Sequence, residues 1–186
     1  MSSKKLLEFL KVVGRLKAVK RSGWISQAGI KDPESVADHS FRCAVIAMCV
    51  ANLSDVNMET LFQMMLLHDL QEAITGDFDS IKKEKLGASK VKSLEKYAII
   101  KIFSSLPFEM KEQFSLLWNE FAMQSTREAI LANDIDKFEM ALQAFEYEQE
   151  GWNPSKLEVF WTTAEKAIKT SEIRDLLHLL KENKDS

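Results

Sequence analysis

The sequence predicts an all-α protein, a single helical bundle, and three observations carry that expectation. Only 6 Gly and 3 Pro occur among 186 residues, well under the roughly 12% of average usage, so turns are few and long elements are favoured. Apolar residues recur at helical spacing, as at Leu6, Leu10, Val13 and Leu16, and no alternating run reads as a strand. The length suits one domain of ordinary size, able to bury a core without disulfides or a structural metal.

The elements follow in order. The Leu6 stripe predicts a first helix near residues 4–20. Residues 21–35 hold two Gly and one Pro in fifteen positions and read as irregular. A second helix runs through ADHSFRCAVIAMCVANL to about residue 53. Asn57 caps a third, METLFQMMLLHDLQEAIT, which stops at Gly76, a residue type suited to the position after a helix end. The polar stretch DFDSIKKEKLGAS reads as a loop of about a dozen residues, a length that is often functional. SKVKSLEKYAIIKIFSSL forms a helix ending before Pro107, and Pro107 begins another, FEMKEQFSLLWNEFAMQ. Ser125 and Glu128 read as a capping box for the long helix TREAILANDIDKFEMALQAFEYEQE, which stops at Gly151. Asn153 and Pro154 open a helix to about residue 169, and SEIRDLLHLLKEN forms the last. No linker divides the chain. The expectation is one domain over 1–186, with a motif-bearing core of about 5–150 and C-terminal helices over 154–183.

Composition narrows the function classes. Hydrophobic residues make up 46% and charged residues 28%, the balance of a soluble globular protein and not of a disordered one. The 25 basic and 28 acidic residues offer no broad basic face, so no nucleic-acid duplex is expected as partner. No apolar run is expected to reach the roughly 18 residues of a membrane span, and no membrane partner is expected. Lys11 and Arg15 interrupt the N-terminal stretch, which reads as an amphipathic helix and not as a signal peptide. The expected location is the cytoplasm, where Cys43 and Cys49 would be two buried thiols. The last helix, with Ile173, Leu176, Leu177, Leu179 and Leu180, can pack on the body or on a second subunit.

Few residues can carry chemistry. His68 and Asp69 follow Leu61, Phe62, Met64, Met65, Leu66 and Leu67 in a helix apolar on all sides, hence buried. An ionised Asp there needs a partner, because an uncompensated buried charge is very costly. A shared cation meets that need; so does a hydrogen-bonded His–Asp pair. His39 also enters an apolar helix, and Asp134 and Asp136 lie in the long one. Two His and two carboxylates suit one first-row transition ion such as Mn, Fe, Co, Ni or Zn. At 100° per residue Asp134 lies about 60° from the centre of the Leu131, Ile135, Phe138 and Leu142 stripe, and Asp136 about 140°. Periodicity alone therefore selects Asp134 as the buried acid. Glu72, four residues after His68, shares its helix face and is placed to orient a water or take its proton; a surface ion-pair partner is the plainer reading. Arg21 offers a fork for a phosphate and Trp24 a flat wall for a base or sugar. Trp118, Trp152 and Trp161 read as core, and His178 as surface or interface.

In combination these segments are recognisable. R-x-x-W at Arg21 and Trp24, ESVADHS, LLHDLQEAITGD and the helical D-K-F-E-M resemble the HD-domain phosphohydrolases, and among them the 5′-deoxynucleotidase branch of YfbR-like proteins. The resemblance covers roughly residues 5–150. It implies one divalent ion and hydrolysis of 2′-deoxynucleoside 5′-monophosphates to deoxynucleoside and phosphate. Carried over by motif, the metal ligands would be His39, His68, Asp69 and Asp136, the D-K-F-E-M match selecting Asp136 over Asp134. Glu72 would act on the attacking water, Arg21 and Trp24 would bind substrate, and Asp77 would meet the sugar. A homodimer is implied as well. Two alternatives stand beside this reading: another HD chemistry, on nucleoside triphosphates, cyclic nucleotides or alarmones, and a non-catalytic helical module that binds metal.

Overall fold

The computed structural model describes residues 3–184, and the described chain is all-α. Its helices are α1 (Ser3–Gly14), α2 (Val36–Val50), α3 (Met58–Leu67), α4 (Glu72–Thr75), α5 (Ser80–Leu86), α6 (Ala88–Phe103), α7 (Phe108–Met123), α8 (Arg127–Gln149), α9 (Pro154–Ala167) and α10 (Ser171–Lys184). Among the described residues no strand forms; Lys20 and Ser35 make an isolated antiparallel bridge. The chain clusters into two units, Met1–Ser40 with Leu67–Asn119 and Phe41–Leu66 with Glu120–Ser186.

In the first unit α1 and α6 pack on the short α4, and α5 packs on α6. Phe9, Leu16, Trp24, Leu70, Ile99, Ile102, Phe103 and Trp118 are buried there. Burial of an indole needs a partner for its N–H, and Trp118 donates to Gln71 Oε1 at 3.0 Å. In the second unit α9 and α10 pack on α8. Leu131, Ile135 and Phe138 of α8 are buried, as are Leu157 and Trp161 of α9 and Ile173, Leu177 and Leu180 of α10. The last helix thus spends its apolar stripe on its own unit, although Leu179 stays exposed. Trp118 and Trp161 are core, as expected; Trp152 is half-buried and His178 exposed.

Local signals held where one side chain closes one turn. Asn57 accepts from the Thr60 N–H at 2.9 Å, and Asn153 from the Ser155 N–H at 3.0 Å ahead of Pro154. Gly76 ends α4 with φ 70°, a conformation that side chains resist. Other expectations need correction. The helix expected to reach Gly76 stops at Leu67; His68–Gln71 turn more tightly, with Leu70 N bonded to Leu67 O and Glu72 N to Asp69 O, before α4 resumes. The expected loop after Gly76 holds α5, because Asp79 caps it by accepting from the Lys82 N–H at 2.7 Å and Lys, Glu and Leu are good helix formers. The cap of α8 is Thr126, not Ser125: its hydroxyl accepts from the Ala129 N–H, while Glu128 accepts from the Asn57 N–H at 2.8 Å. The first helix tightens to 3₁₀ over Arg15–Ala18, and Trp24–Ala28 forms a π-turn inside the segment read as irregular. Cys43 is buried as expected, but Cys49 is exposed.

The segment Val36–Leu53 is apolar enough to span a membrane by composition, with a mean hydropathy of 1.2. Its geometry argues otherwise. Nearly half of the segment is buried inside the protein, and it contains Asp38, His39 and Arg42, which is the setting of a core helix.

Candidate metal centre

Three of the four expected ligands come together in the first unit. Ser35 and Asp38 open α2 reciprocally: the Asp38 carboxylate accepts from the Ser35 N–H (2.9 Å) and hydroxyl (2.7 Å), while the Asp38 N–H faces the Ser35 hydroxyl at 3.2 Å. The cap sets the first turn, and His39 in that turn is fully buried. The tight turn after Leu67 brings His68 and Asp69 to it. His39 Nε2 and His68 Nε2 lie 3.3 Å apart. Asp69 Oδ2 is 3.2 Å from His68 Nε2 and 3.7 Å from His39 Nε2. Two imidazole nitrogens that close, facing one carboxylate oxygen, must share either a proton or a cation. The donor set therefore fits a divalent transition ion. The Arg21 guanidinium approaches the same oxygen, with Nη1 at 3.3 Å. Burial pulls the Asp69 carboxyl upward, but His68, Arg21 and His39 outweigh it and hold the group well below the usual carboxylate range.

Glu72 begins α4 and is buried. Its Oε2 has no hydrogen-bond partner among the described residues. Burial, reinforced by the charges of Asp69 and Asp77, pushes its pKa well above the usual value, against the opposing pull of Arg21 and Lys83. A carboxylate with a raised pKa and a bare oxygen is a stronger proton acceptor than a solvated one.

The expected substrate residues occupy distinct settings. Asp77, half-buried after Gly76, accepts from Ser22 through both the backbone N–H (2.5 Å) and the hydroxyl (2.7 Å) of that residue. Trp24 is only 2% exposed, and its indole N–H donates to Glu34 Oε1 at 3.0 Å. The Glu34 carbonyl also accepts from the Arg21 N–H at 3.1 Å. The segment Arg21–Trp24 is thereby tied to residues before α2 and after α4. The pairing of Ser22 was invisible to sequence reasoning: no spacing or periodicity marks a serine whose partner lies 55 positions away.

Asp136 belongs to the second unit, on α8. It is buried, with Lys137 Nζ 2.7 Å from its Oδ2. Asp134 is more deeply buried, at 1% exposure, and its carboxylate accepts from the N–H groups of Lys169 (2.8 Å) and Thr170 (2.6 Å) in the connection between α9 and α10. Both bonds tie that connection to α8. In the same unit Arg42 Nε donates to Glu139 at 2.8 Å, Nη2 to Gln143 at 2.7 Å and Nη1 to Glu146 at 2.6 Å, which fastens α2 to α8. Cys43, one helical turn after His39, adds a buried thiol to α2.

Comparison with known proteins identifies the family. Residues 13–175 match the family model described as HD domain. The chain is 40% identical over 159 residues to the 5′-deoxynucleotidase HDDC2 of Dictyostelium discoideum, covering 82% of this chain and 80% of that one. It is 35% identical to the 5′-deoxynucleotidase HDDC2 of Homo sapiens, covering 94% and 84%. Among solved structures, the PH0347 protein of Pyrococcus horikoshii OT3 superposes with a TM-score of 0.80 at 30% identity, over 94% of this chain and 97% of that one. With the motif residues on a matching all-helical frame, the chain belongs to the HD domain family.

Proposed function

We propose that this protein is a metal-dependent 5′-deoxynucleotidase, hydrolysing 2′-deoxynucleoside 5′-monophosphates to deoxynucleoside and phosphate, and that it works as a single HD domain over 1–186. The observation that carries the reading is the convergence of His39, His68 and Asp69 beside Glu72, whose buried Oε2 lacks a partner among the described residues. The similarity to relatives named 5′-deoxynucleotidase supports the substrate class.

His39, His68, Asp69 and Asp136 would hold one divalent transition ion, of the Co, Mn, Fe, Ni or Zn class, which when bound supplies Lewis acidity to the phosphoryl group. The chain's residues do the rest. Glu72 accepts the proton of the attacking water, its raised pKa making it a stronger base than an exposed carboxylate. Arg21 turns its fork to the phosphate and keeps the phosphorus in line with the 5′ oxygen. Asp77 accepts from a sugar hydroxyl, and Trp24, fixed by Glu34, backs the segment that presents Arg21.

We place the protein in the cytoplasm as a homodimer. Phe41, Val45 and Met48 recur at i, i+4 and i+7 on α2 and are 70%, 42% and 52% exposed, an apolar stripe suited to a second copy. Phe41→Glu should give monomers in sedimentation; an unchanged mass would rule out this face. The activity is tested by assaying deoxyribo- and ribonucleoside monophosphates, deoxynucleoside triphosphates, cyclic nucleotides and an alarmone side by side, with added metals and with chelator. Fastest turnover of a triphosphate or cyclic substrate, or full activity after exhaustive chelation, would refute the reading.

A further inference from the structure

Asp77 has a partner that the reaction does not explain. It follows Gly76, outside α4, where an acidic side chain would ordinarily turn between rotamers. Here it does not have that freedom. The Ser22 backbone N–H and hydroxyl both reach the same oxygen, Oδ2, at 2.5 and 2.7 Å, and the hydroxyl also lies 3.2 Å from the Asp77 carbonyl. The neighbouring Phe78 is buried and holds the backbone. No donor approaches Oδ1 among the described residues. One carboxylate oxygen is therefore saturated, and the other is presented in a single direction. Asp77 is also one of the two acids whose charge raises the Glu72 pKa, so it lies within electrostatic reach of the reacting end. On the other side Ser22 is next to Arg21, which faces Asp69. One short segment thus supplies a cation toward the metal ligands and a clasp toward Asp77.

We propose that Ser22 is the specificity-determining positioning residue of this site: by clasping Oδ2 of Asp77 it fixes Oδ1 as the acceptor for a hydroxyl of the deoxyribose. The inference rests on the reading of Asp77 as the sugar acid. A fixed acceptor accommodates one hydroxyl position. With the Ser22 hydroxyl gone only the backbone N–H holds Oδ2, so Asp77 can turn enough to accept from a 2′ hydroxyl as well, and a ribonucleotide then gains what a deoxynucleotide loses. Ser22 touches no reacting atom, so its removal should act on sugar discrimination and leave phosphate chemistry alone.

The test uses the metal-loaded full chain and compares kcat/KM for a deoxyribo- and ribonucleoside monophosphate of the same base and for p-nitrophenyl phosphate. Ser22→Ala should narrow the deoxyribo-to-ribo ratio about tenfold, the effect of one charge-assisted hydrogen bond at the low end of its range, mainly through KM. Turnover of the aryl phosphate should stay within about twofold. Ser22→Thr, which keeps the hydroxyl, should retain the ratio. An unchanged ratio in Ser22→Ala overturns the proposal, and so does an equal loss on the aryl phosphate, which would tie Ser22 to the metal helix. Ser22→Gly removes the same hydroxyl and repeats the test if the alanine variant does not fold; failure of both to fold would make Ser22 a structural clasp and overturn the proposal. A wild-type enzyme with no deoxynucleotide turnover overturns the functional reading itself. A discriminating wild type whose variants discriminate equally overturns only the role of Ser22.

Discussion

Arg42→Met removes a guanidinium that makes three hydrogen bonds to α8, and the structure sets the size of the loss. Glu139 is fully buried, with its carboxylate 2.7 Å from Arg42 Nη2 and 2.8 Å from Nε. Glu146 is about half exposed, at 45% of its side chain, so water can replace its share of the ion pair. Burial alone would lower the Arg42 pKa, yet Glu139 and Glu146 raise it above its ordinary value, so the charge is well held. Breaking a buried pair by deleting one partner typically costs about 3–5 kcal/mol. Because Arg42 keeps a quarter of its side-chain surface and Glu146 is wet, the low end applies, about 3 kcal/mol.

Urea unfolding of the metal-free protein reads this directly as a lowered midpoint at unchanged slope. The double variant with Glu139→Gln should recover part of the loss, since it removes the buried charge that Arg42→Met leaves behind. A destabilisation under about 1 kcal/mol would mean that the pair only balances its own desolvation, and the clamp reasoning would fall.

Other predictions follow from the site. His68→Ala or Asp69→Asn should abolish metal binding by competition titration and lower the metal-dependent gain in thermal stability, since a ligand of the folded state stabilises it by mass action; bound metal in both variants would end the ligand assignment. Glu72→Gln should keep the ion and lose roughly 10²–10⁴-fold in kcat; loss of the ion instead would make Glu72 a ligand. The same variant carries a pH signature. The folded pKa of Glu72 lies above its unfolded value of 4.5, so the folded state binds the extra proton between the two values. Metal-free wild type should therefore lose stability relative to Glu72→Gln as pH rises through that window, with no divergence below it. A wild type that instead gains on the variant would reverse the sign. Asp136→Asn should weaken metal binding, whereas Asp134→Asn should leave it intact and cost about 1–2 kcal/mol of stability through weakened bonds to the Lys169 and Thr170 N–H groups; the opposite pattern in paired titrations would reassign the ligand.

What could be read in the sequence divides by the range of the force involved. Asn57, Asn153, Gly76 and Gly151 act within one turn, and their positions follow from local chemistry. The helix break at His68 does not. Leu61–Leu67 continue without a breaker into HDLQEA, and nothing in the residues marks that His68–Gln71 tighten. Helix α5 was missed for a different reason: SIKKEKL has good propensity but no apolar face, and periodicity sees only burial. The two acids of α8 show the same limit. Apolar phase ranked Asp134 as the more buried, and it is, but phase could not show what holds it there: the N–H groups of Lys169 and Thr170 lie 35 and 36 positions on.

The same division explains which site residues were visible. His39, His68 and Asp69 stand out because ionisable groups are costly in apolar helices unless a partner occupies them, so their presence already requires a reason. Ser22 requires none. A serine is ordinary in an irregular segment, and only its two bonds to Asp77 give it significance. Arg42 is intermediate: an arginine within an apolar helix asks for partners, but Glu139, Gln143 and Glu146 appear as its partners only once α8 is beside it. Residues that do chemistry are therefore exposed by the cost of burying them, and residues that aim the chemistry are not. Sugar discrimination, which depends on aim, is where substitutions at inconspicuous positions such as Ser22 should matter most.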